Sequence, residues 1–173
     1  MQPTTAAIRT ASVEDARAIA EVHVLSWQHA YRDLLPADFL ARLSVAKREA
    51  MWADSLAANR SELLVAEAGG RVVGFAAFGH CRDATTGPSD YELWALYLTP
   101  DHWSTGLGRC LWLQSKAAMA SQGATAISLW VLAGNARAIR FYEAAGFQCD
   151  TDSAKTFELG GMPVQEVRYS QRP

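Results

Sequence analysis

Tyr91–Trp112 reads YELWALYLTPDHWSTGLGRCLW. From Leu93 to Leu98 it is nearly continuously apolar, as a strand covered on both faces should be. It ends in the first turn of an apolar-periodic helix. Between the two, Gly106 and Gly108 sit two apart behind the polar pair Ser104 and Thr105. A helix N-terminus carries unpaired N–H groups and a positive partial charge, which suits an anion. Glycines let a bulky ligand approach that backbone and allow unusual dihedrals. Arg109 adds a formal charge. On the two glycines alone, a tight strand-to-helix turn without a ligand is an equal alternative. A nucleoside-triphosphate loop would need Gly-Lys-Ser/Thr, and Gly108-Arg109-Cys110 does not supply it. A dinucleotide fingerprint would need a third glycine where Leu111 stands, and an acidic residue after the next strand.

Outward from this segment the pattern is regular. ATAISLWVL, Ala124–Leu132, is a second apolar strand, so the order strand, helix, strand implies a right-handed crossover and parallel pairing. GNARAIRFYEAAGF, Gly134–Phe147, places Ala138, Phe141, Tyr142 and Ala145 on one helical face. Asn135 is its expected N-cap and Gly146 its stop. Upstream, ELLVAEA, Gly69-Gly70 and RVVGFAAFGH form a hairpin. The N-terminal AAIRTA reads as a strand, and Ser12 with Asp15 as a capping-box-like helix start. Ala16, Ile19, Ala20, His23 and Trp27 give that helix a buried face. PADFLARL and VAKREAMWADSLAA read as two further helical pieces, and TFELGGMPVQEVRYS as a closing hairpin. The expected fold is α/β (α+β mixed), with a mixed sheet of about six or seven strands in a single domain over residues 1–173.

Half of the 173 residues are hydrophobic, a fifth are charged, and the net charge is −2. No basic excess exists to neutralise phosphates, so nucleic acid is not an expected partner. No apolar run approaches the ~18 residues of a membrane span. The opening MQPTTAAIRTA lacks the basic-then-apolar layout of a secretory signal. Cys81, Cys110 and Cys149 are scattered and read as buried thiols in a reducing compartment, so a cytoplasmic location is expected. No metal-binding spacing occurs, and no metal is expected.

Two segments together resemble the GNAT superfamily of acyl-CoA-dependent N-acetyltransferases. Trp103-Ser104-Thr105-Gly106-Leu107-Gly108 is similar to that family's Arg/Gln-x-x-Gly-x-Gly/Ala turn, with Trp103 at the usual Arg/Gln position. LWVLAGNARAIRFYEAAGF is similar to its second motif through Asn135, Phe141, Tyr142, Gly146 and Phe147. The resemblance implies a GNAT-like fold whose fourth and fifth strands splay apart to admit pantetheine. It implies acetyl-CoA as cosubstrate, with the backbone of Leu96, Tyr97 and Leu98 on the pantetheine arm. The N–H groups of Ser104, Thr105, Gly106, Leu107, Gly108 and Arg109 would hold the pyrophosphate. Asn135 would bond the pantetheine amide or cap its helix.

The implied chemistry is direct acyl transfer from a thioester to a primary amine. Glu92 matches the family's glutamate base, with pairing to a nearby arginine as its structural alternative. Tyr142 matches the tyrosine that protonates the departing thiolate, with core packing on the apolar helix face as its alternative; a phenol of pKa roughly 10 starts protonated. Trp27 and Tyr31 fall where the acceptor wall stands in such enzymes, with anchoring of the core as the alternative and the favoured reading for Trp27; the loop RDATTGPSD reads as another rim. A small-molecule amine is the expected acceptor. A protein N-terminal or lysine acetyltransferase and a non-catalytic acyl-CoA sensor remain as other readings, and the edge strands allow a homodimer. His23 reads as a core residue, and Cys110 as a buried, non-nucleophilic thiol.

Overall fold

The computed structural model describes residues 6–83 and 86–172. Met1–Thr5, part of the stretch read for a leader, and positions 84 and 85 of the loop read as an acceptor rim lie outside them. The strands are β1 (Ala7–Thr10), β2 (Glu62–Ala68), β3 (Arg71–His80), β4 (Asp90–Leu98), β5 (Ala126–Leu132), β6 (Gln148–Cys149), β7 (Lys155–Leu159) and β8 (Met162–Gln171). The helices are α1 (Ala16–Ala30), α2 (Ala37–Ala41), α3 (Val45–Ala57), α4 (Leu107–Ser121) and α5 (Ala136–Ala144). They build one mixed sheet in the order β1-β2-β3-β4-β5-β8-β6, with β7 also on β8. The eight strands exceed the expected six or seven because the last hairpin pairs twice: β8 takes β7 along its first half and the two-residue β6 along its second.

Ser12 and Asp15 start the first helical segment as the capping pattern requires. Asp15 Oδ2 accepts from the Ser12 backbone N–H at 2.8 Å. Arg9 of β1 then grips both Asp15 oxygens, at 2.7 and 2.8 Å, and ties strand to helix start. Both faces of the sheet are covered, which explains why β3 and β4 read as unbroken apolar runs. Ala16, Ile19 and Ala20 of α1 and Trp52 of α3 pack with Val65, Phe75 and Ala77 on one face. Leu107, Leu111, Trp112 and Met119 of α4 pack with Phe78, Tyr91, Leu93 and Leu98 on the other.

The strand that carries the site is irregular at one point. Ala77 of β3 faces Ala95 of β4, while Phe78 faces Leu93, so Trp94 is an extra residue. A bulge reverses the alternation of side chains and bends its strand. Tyr91 and Leu93 therefore share a core with Leu98, whereas Ala95 and Tyr97 pack on the opposite one. The parallel pairing of β4 with β5 runs only through Asp90, Tyr91 and Glu92, opposite Ala126, Ile127 and Ser128. Beyond that point the two strands part, and the β5 side of β4 has no strand partner among the described residues.

Candidate active site

The fork between β4 and β5 opens into a cavity of about 890 Å³. Trp94 and Trp130, each two residues past the last paired position, stand inside it. Leu96, Tyr97 and Leu98 line it from β4, Asn135 and Tyr142 from the α5 region, and Trp27 and Tyr31 from α1 and its C-terminus. Ser104, Gly106, Gly108 and Arg109 line the end nearest α4. Thr105 and Leu107 face a second, shallower hollow beside it. The structure thus brings the two motifs together across one opening. Among the described residues, Glu92 alone of the expected site residues borders neither hollow.

The glycine turn is built to present N–H groups. Ser104 and Gly106 have φ of 60° and 87°, and such left-handed positions make successive amides converge on one point. No backbone or side-chain acceptor takes the N–H groups from Ser104 to Arg109 among the described residues. A side chain built at Gly106 would meet no protein atom within 4 Å, so its φ and the open cavity before it, not packing, account for the glycine. Gly108 serves a different purpose. A Cβ there would lie 3.0 Å from Leu98 Cδ1, so this glycine lets α4 settle against β4. Of the two expected reasons for these glycines, an unusual dihedral and room for a ligand, Gly106 has the dihedral and faces open space, while Gly108 adds a packing role.

Trp103, at the position where the resemblance expects Arg or Gln, is a seam. Its indole N–H donates to the Leu98 carbonyl at 2.9 Å, and Ser26 Oγ donates to the same oxygen at 2.8 Å. The Leu98 carbonyl is thereby occupied, and because Thr99 and Tyr97 turn their backbone groups to β3, Leu96 is the one of the three β4 residues expected to meet pantetheine that keeps both groups toward the fork. Arg137 of α5 stacks on the Trp103 ring, 3.6 Å from its centroid. Asn135 caps α5: its Oδ1 accepts from the Ala138 N–H at 3.2 Å.

Three phenols gather at the cavity wall. Burial pushes the Tyr142 hydroxyl well above its ordinary value, and burial raises Tyr31 and Tyr97 as well. Desolvation disfavours the charged phenolate, so Tyr142 stays a proton donor at neutral pH. Trp27 is half-buried, with its ring edge-on to Tyr31 at 5.1 Å.

Glu92 differs from the expected free base. Its side chain is 2 % exposed, and Arg82 closes over both oxygens. The Arg82 backbone N–H and Nε donate to Oε2 at 3.0 and 3.2 Å, and Nη2 donates to Oε1 at 2.5 Å. The physical reason is the hairpin: β3 ends at His80 and β4 returns past it, so Arg82 folds back onto Glu92. Arg82, not Glu92, reaches the cavity wall, where its guanidinium sits 4.9 Å from the Trp94 centroid. Sequence reasoning missed Glu166 of β8, the acid that lines the cavity. Strand alternation gives its face, but nothing local indicates that this face meets β4 and β5.

None of the four histidines lines the cavity. His23 is core, as expected. Cys110 is exposed, not buried, because α4 buries Leu107, Gly108, Leu111, Trp112, Ser115 and Met119; Cys149 is exposed too. Among the described residues, no group of three His, Cys, Asp or Glu side chains is placed to hold a metal, and no helix is long and apolar enough to cross a membrane.

Residues 23–147 match the model of the acetyltransferase (GNAT) family. The chain is 31% identical over 160 residues to the uncharacterized N-acetyltransferase YuaI of Bacillus subtilis (strain 168), covering 92% of this chain and 89% of that one. The fold is similar to the PaiA N-acetyltransferase of Thermoplasma acidophilum in complex with coenzyme A. There the TM-score is 0.80 at 20% identity, over 98% of this chain and 99% of that one. An N-acetyltransferase of Staphylococcus aureus Mu50 superposes with a TM-score of 0.77 at 18% identity, over 97% and 98% of the two chains. The chain belongs to the GNAT family and is an acyltransferase of the acetyl-CoA-dependent kind.

Proposed function

We propose that this enzyme transfers an acetyl group from acetyl-CoA directly to the primary amine of a small molecule. The observation that carries the reading is the unpaired run of N–H groups from Ser104 to Arg109 at the mouth of a fork whose β4 edge has no strand partner among the described residues. Those donors fit a pyrophosphate, and the open β4 edge fits an extended amide-bearing arm. The thioester supplies an activated acyl carbon.

The chain's own residues do the rest. Ser104–Arg109 hold the diphosphate through backbone N–H groups, and Arg109 adds charge. Leu96 offers its backbone groups along the arm; the Thr99 N–H bonds Val73 of β3, and strand alternation turns the Tyr97 groups to that side as well. Tyr142 holds a proton at Oη for the sulfur that departs, and the raised value of its hydroxyl keeps that proton in place. Trp27 and Tyr31 wall the acceptor side. The cavity is walled largely by aromatic and apolar side chains, with Arg82, Arg109, Arg137, Arg140 and Glu166 as its charged lining, and an enclosed site of this kind suits a small amine.

Calorimetric titration of acetyl-CoA into wild type and Gly106→Glu tests the reading. Wild type binds; the variant, whose carboxylate enters the cradle and whose φ of 87° strains any side chain, loses binding by at least 30-fold while circular dichroism shows it still folded. Failure of folded wild type to bind acetyl-CoA refutes the assignment of donor and cradle.

A further inference from the structure

The acceptor end of the fork carries more charge than it first shows, and all but one of its carboxylates are taken. Asp83, on the β3–β4 connection, accepts from the Trp130 indole at 3.2 Å and pairs with Lys155 at 3.4 Å and Arg168 at 3.7 Å. Glu92 is held by Arg82. Lys155 of β7 also sits 3.7 Å over the Trp130 ring. Glu166 lies in register with Leu132 of β5 on one side and Lys155 of β7 on the other. It lines the cavity, is half-buried, and has no hydrogen-bonded or ion-paired side-chain partner among the described residues. Glu166 therefore presents an uncommitted carboxylate to the cavity, where a cationic ligand group can pair with it.

We propose that Glu166 is the carboxylate that receives the acceptor amine, and that the acceptor is a primary amine on an apolar body with no anionic group beside its nitrogen. The proposal rests on the acetyltransferase reading of the same cavity.

The chemistry follows from the surroundings. Trp94 and Trp130 stand at the fork, and Phe157, an exposed aromatic of β7, lines the same wall. Aromatic walls accept an apolar body and tolerate a cationic head. A carboxylate on the acceptor would meet Glu166 as a like charge, and the nearby cations Arg82 and Lys155 are already occupied. Burial is the main cause that raises the Glu166 carboxyl above its ordinary value; Asp83 and Glu92 add to this, while Lys155 and Arg82 act against it. A raised carboxyl is the better proton acceptor.

The step balances. The ammonium passes one proton to Glu166, which frees the nitrogen lone pair. The N–C bond forms as the C–S bond breaks. Tyr142 gives its proton to sulfur and regains one from the nitrogen. Glu166 then releases the first proton to solvent, and amide and free thiol leave.

The test titrates phenethylamine and phenylalanine into wild type and Glu166→Gln, read by tryptophan fluorescence, with and without saturating coenzyme A. The expected result is saturable phenethylamine binding by wild type, at least tenfold tighter than phenylalanine. Glu166→Gln weakens phenethylamine at least tenfold and narrows the gap between the two ligands. A folded Glu166→Gln that binds phenethylamine within twofold of wild type overturns the proposal, as does a wild type that prefers phenylalanine or binds neither. Coenzyme A titrated into the same samples reports separately on the donor reading: if it fails to bind, the acetyltransferase site is refuted, while the amine arms without coenzyme A still decide the role of Glu166.

Discussion

Lowering the pH from 7 to 5 should destabilise this protein through His23. The ring lies in the core between α1 and the sheet, 6 % exposed. Its Nδ1 accepts from the Trp52 indole at 3.1 Å, and it stacks on Tyr97 with centroids 5.3 Å apart. Nε2 has no partner. Burial, with a smaller push from Arg48, lowers its pKa from 6.5 to about 3. The unfolded chain therefore takes up a proton on this ring at a pH where the folded one does not. Between pH 6.5 and 3 the unfolded state binds more protons, so stability falls as pH falls, by at most ~1.4 kcal/mol per pH unit. From pH 7 to 5 the loss is about 2 kcal/mol. His23→Asn keeps an acceptor near the position of Nδ1 and removes the titration. Urea unfolding followed by tryptophan fluorescence at pH 7 and pH 5 measures both proteins. Wild type loses about 2 kcal/mol more than the variant over that interval; an equal loss in the two proteins would refute the assignment of a buried neutral imidazole.

Two further outcomes follow from the structure. Tyr142→Phe removes the protonated hydroxyl and leaves the ring packed edge-on to Phe141 and Phe147. Thiol release with an accepted amine falls roughly 100-fold, while acetyl-CoA affinity by calorimetry stays within about threefold. Asp15→Asn removes the carboxylate gripped by Arg9, whose guanidinium holds the Asp15 pKa at about 2 against an ordinary 3.8. The folded value is the depressed one, so the stabilisation is complete above pH 3.8 and is lost as pH falls through about 2. Because Arg9 is partly exposed, its worth is discounted to about 1 to 2 kcal/mol. Urea unfolding of wild type and variant at pH 6 and pH 2.5 shows that difference shrinking.

Much of the architecture was legible because each element carries its own period. The apolar run Leu93–Leu98, the paired glycines before an apolar helix, and Asn135 ahead of Phe141 and Tyr142 each describe a local conformation. Together they state strand, turn and helix twice over. What escaped was partner choice. Cys110 lies only three positions from buried Leu107, yet it turns outward, because the face of α4 is set by how Gly108 meets Leu98. The bulge at Trp94 leaves no mark in composition, since a continuously apolar strand reads the same in either register.

The sequence by itself determined the element order, the glycine turn that frees N–H groups from Ser104 to Arg109, the cap at Asn135 and the burial of His23. These depend on backbone preference and on which residues seek to leave water, and both are local. Only the tertiary structure decided which carboxylate faces the cavity. Glu92 was neutralised by Arg82, ten positions earlier, when the β3–β4 hairpin closed. Glu166 arrived from the last strand once β8 paired with β5. A charged side chain's chemistry is set by the few groups within reach of it, and only the folded chain brings those groups together.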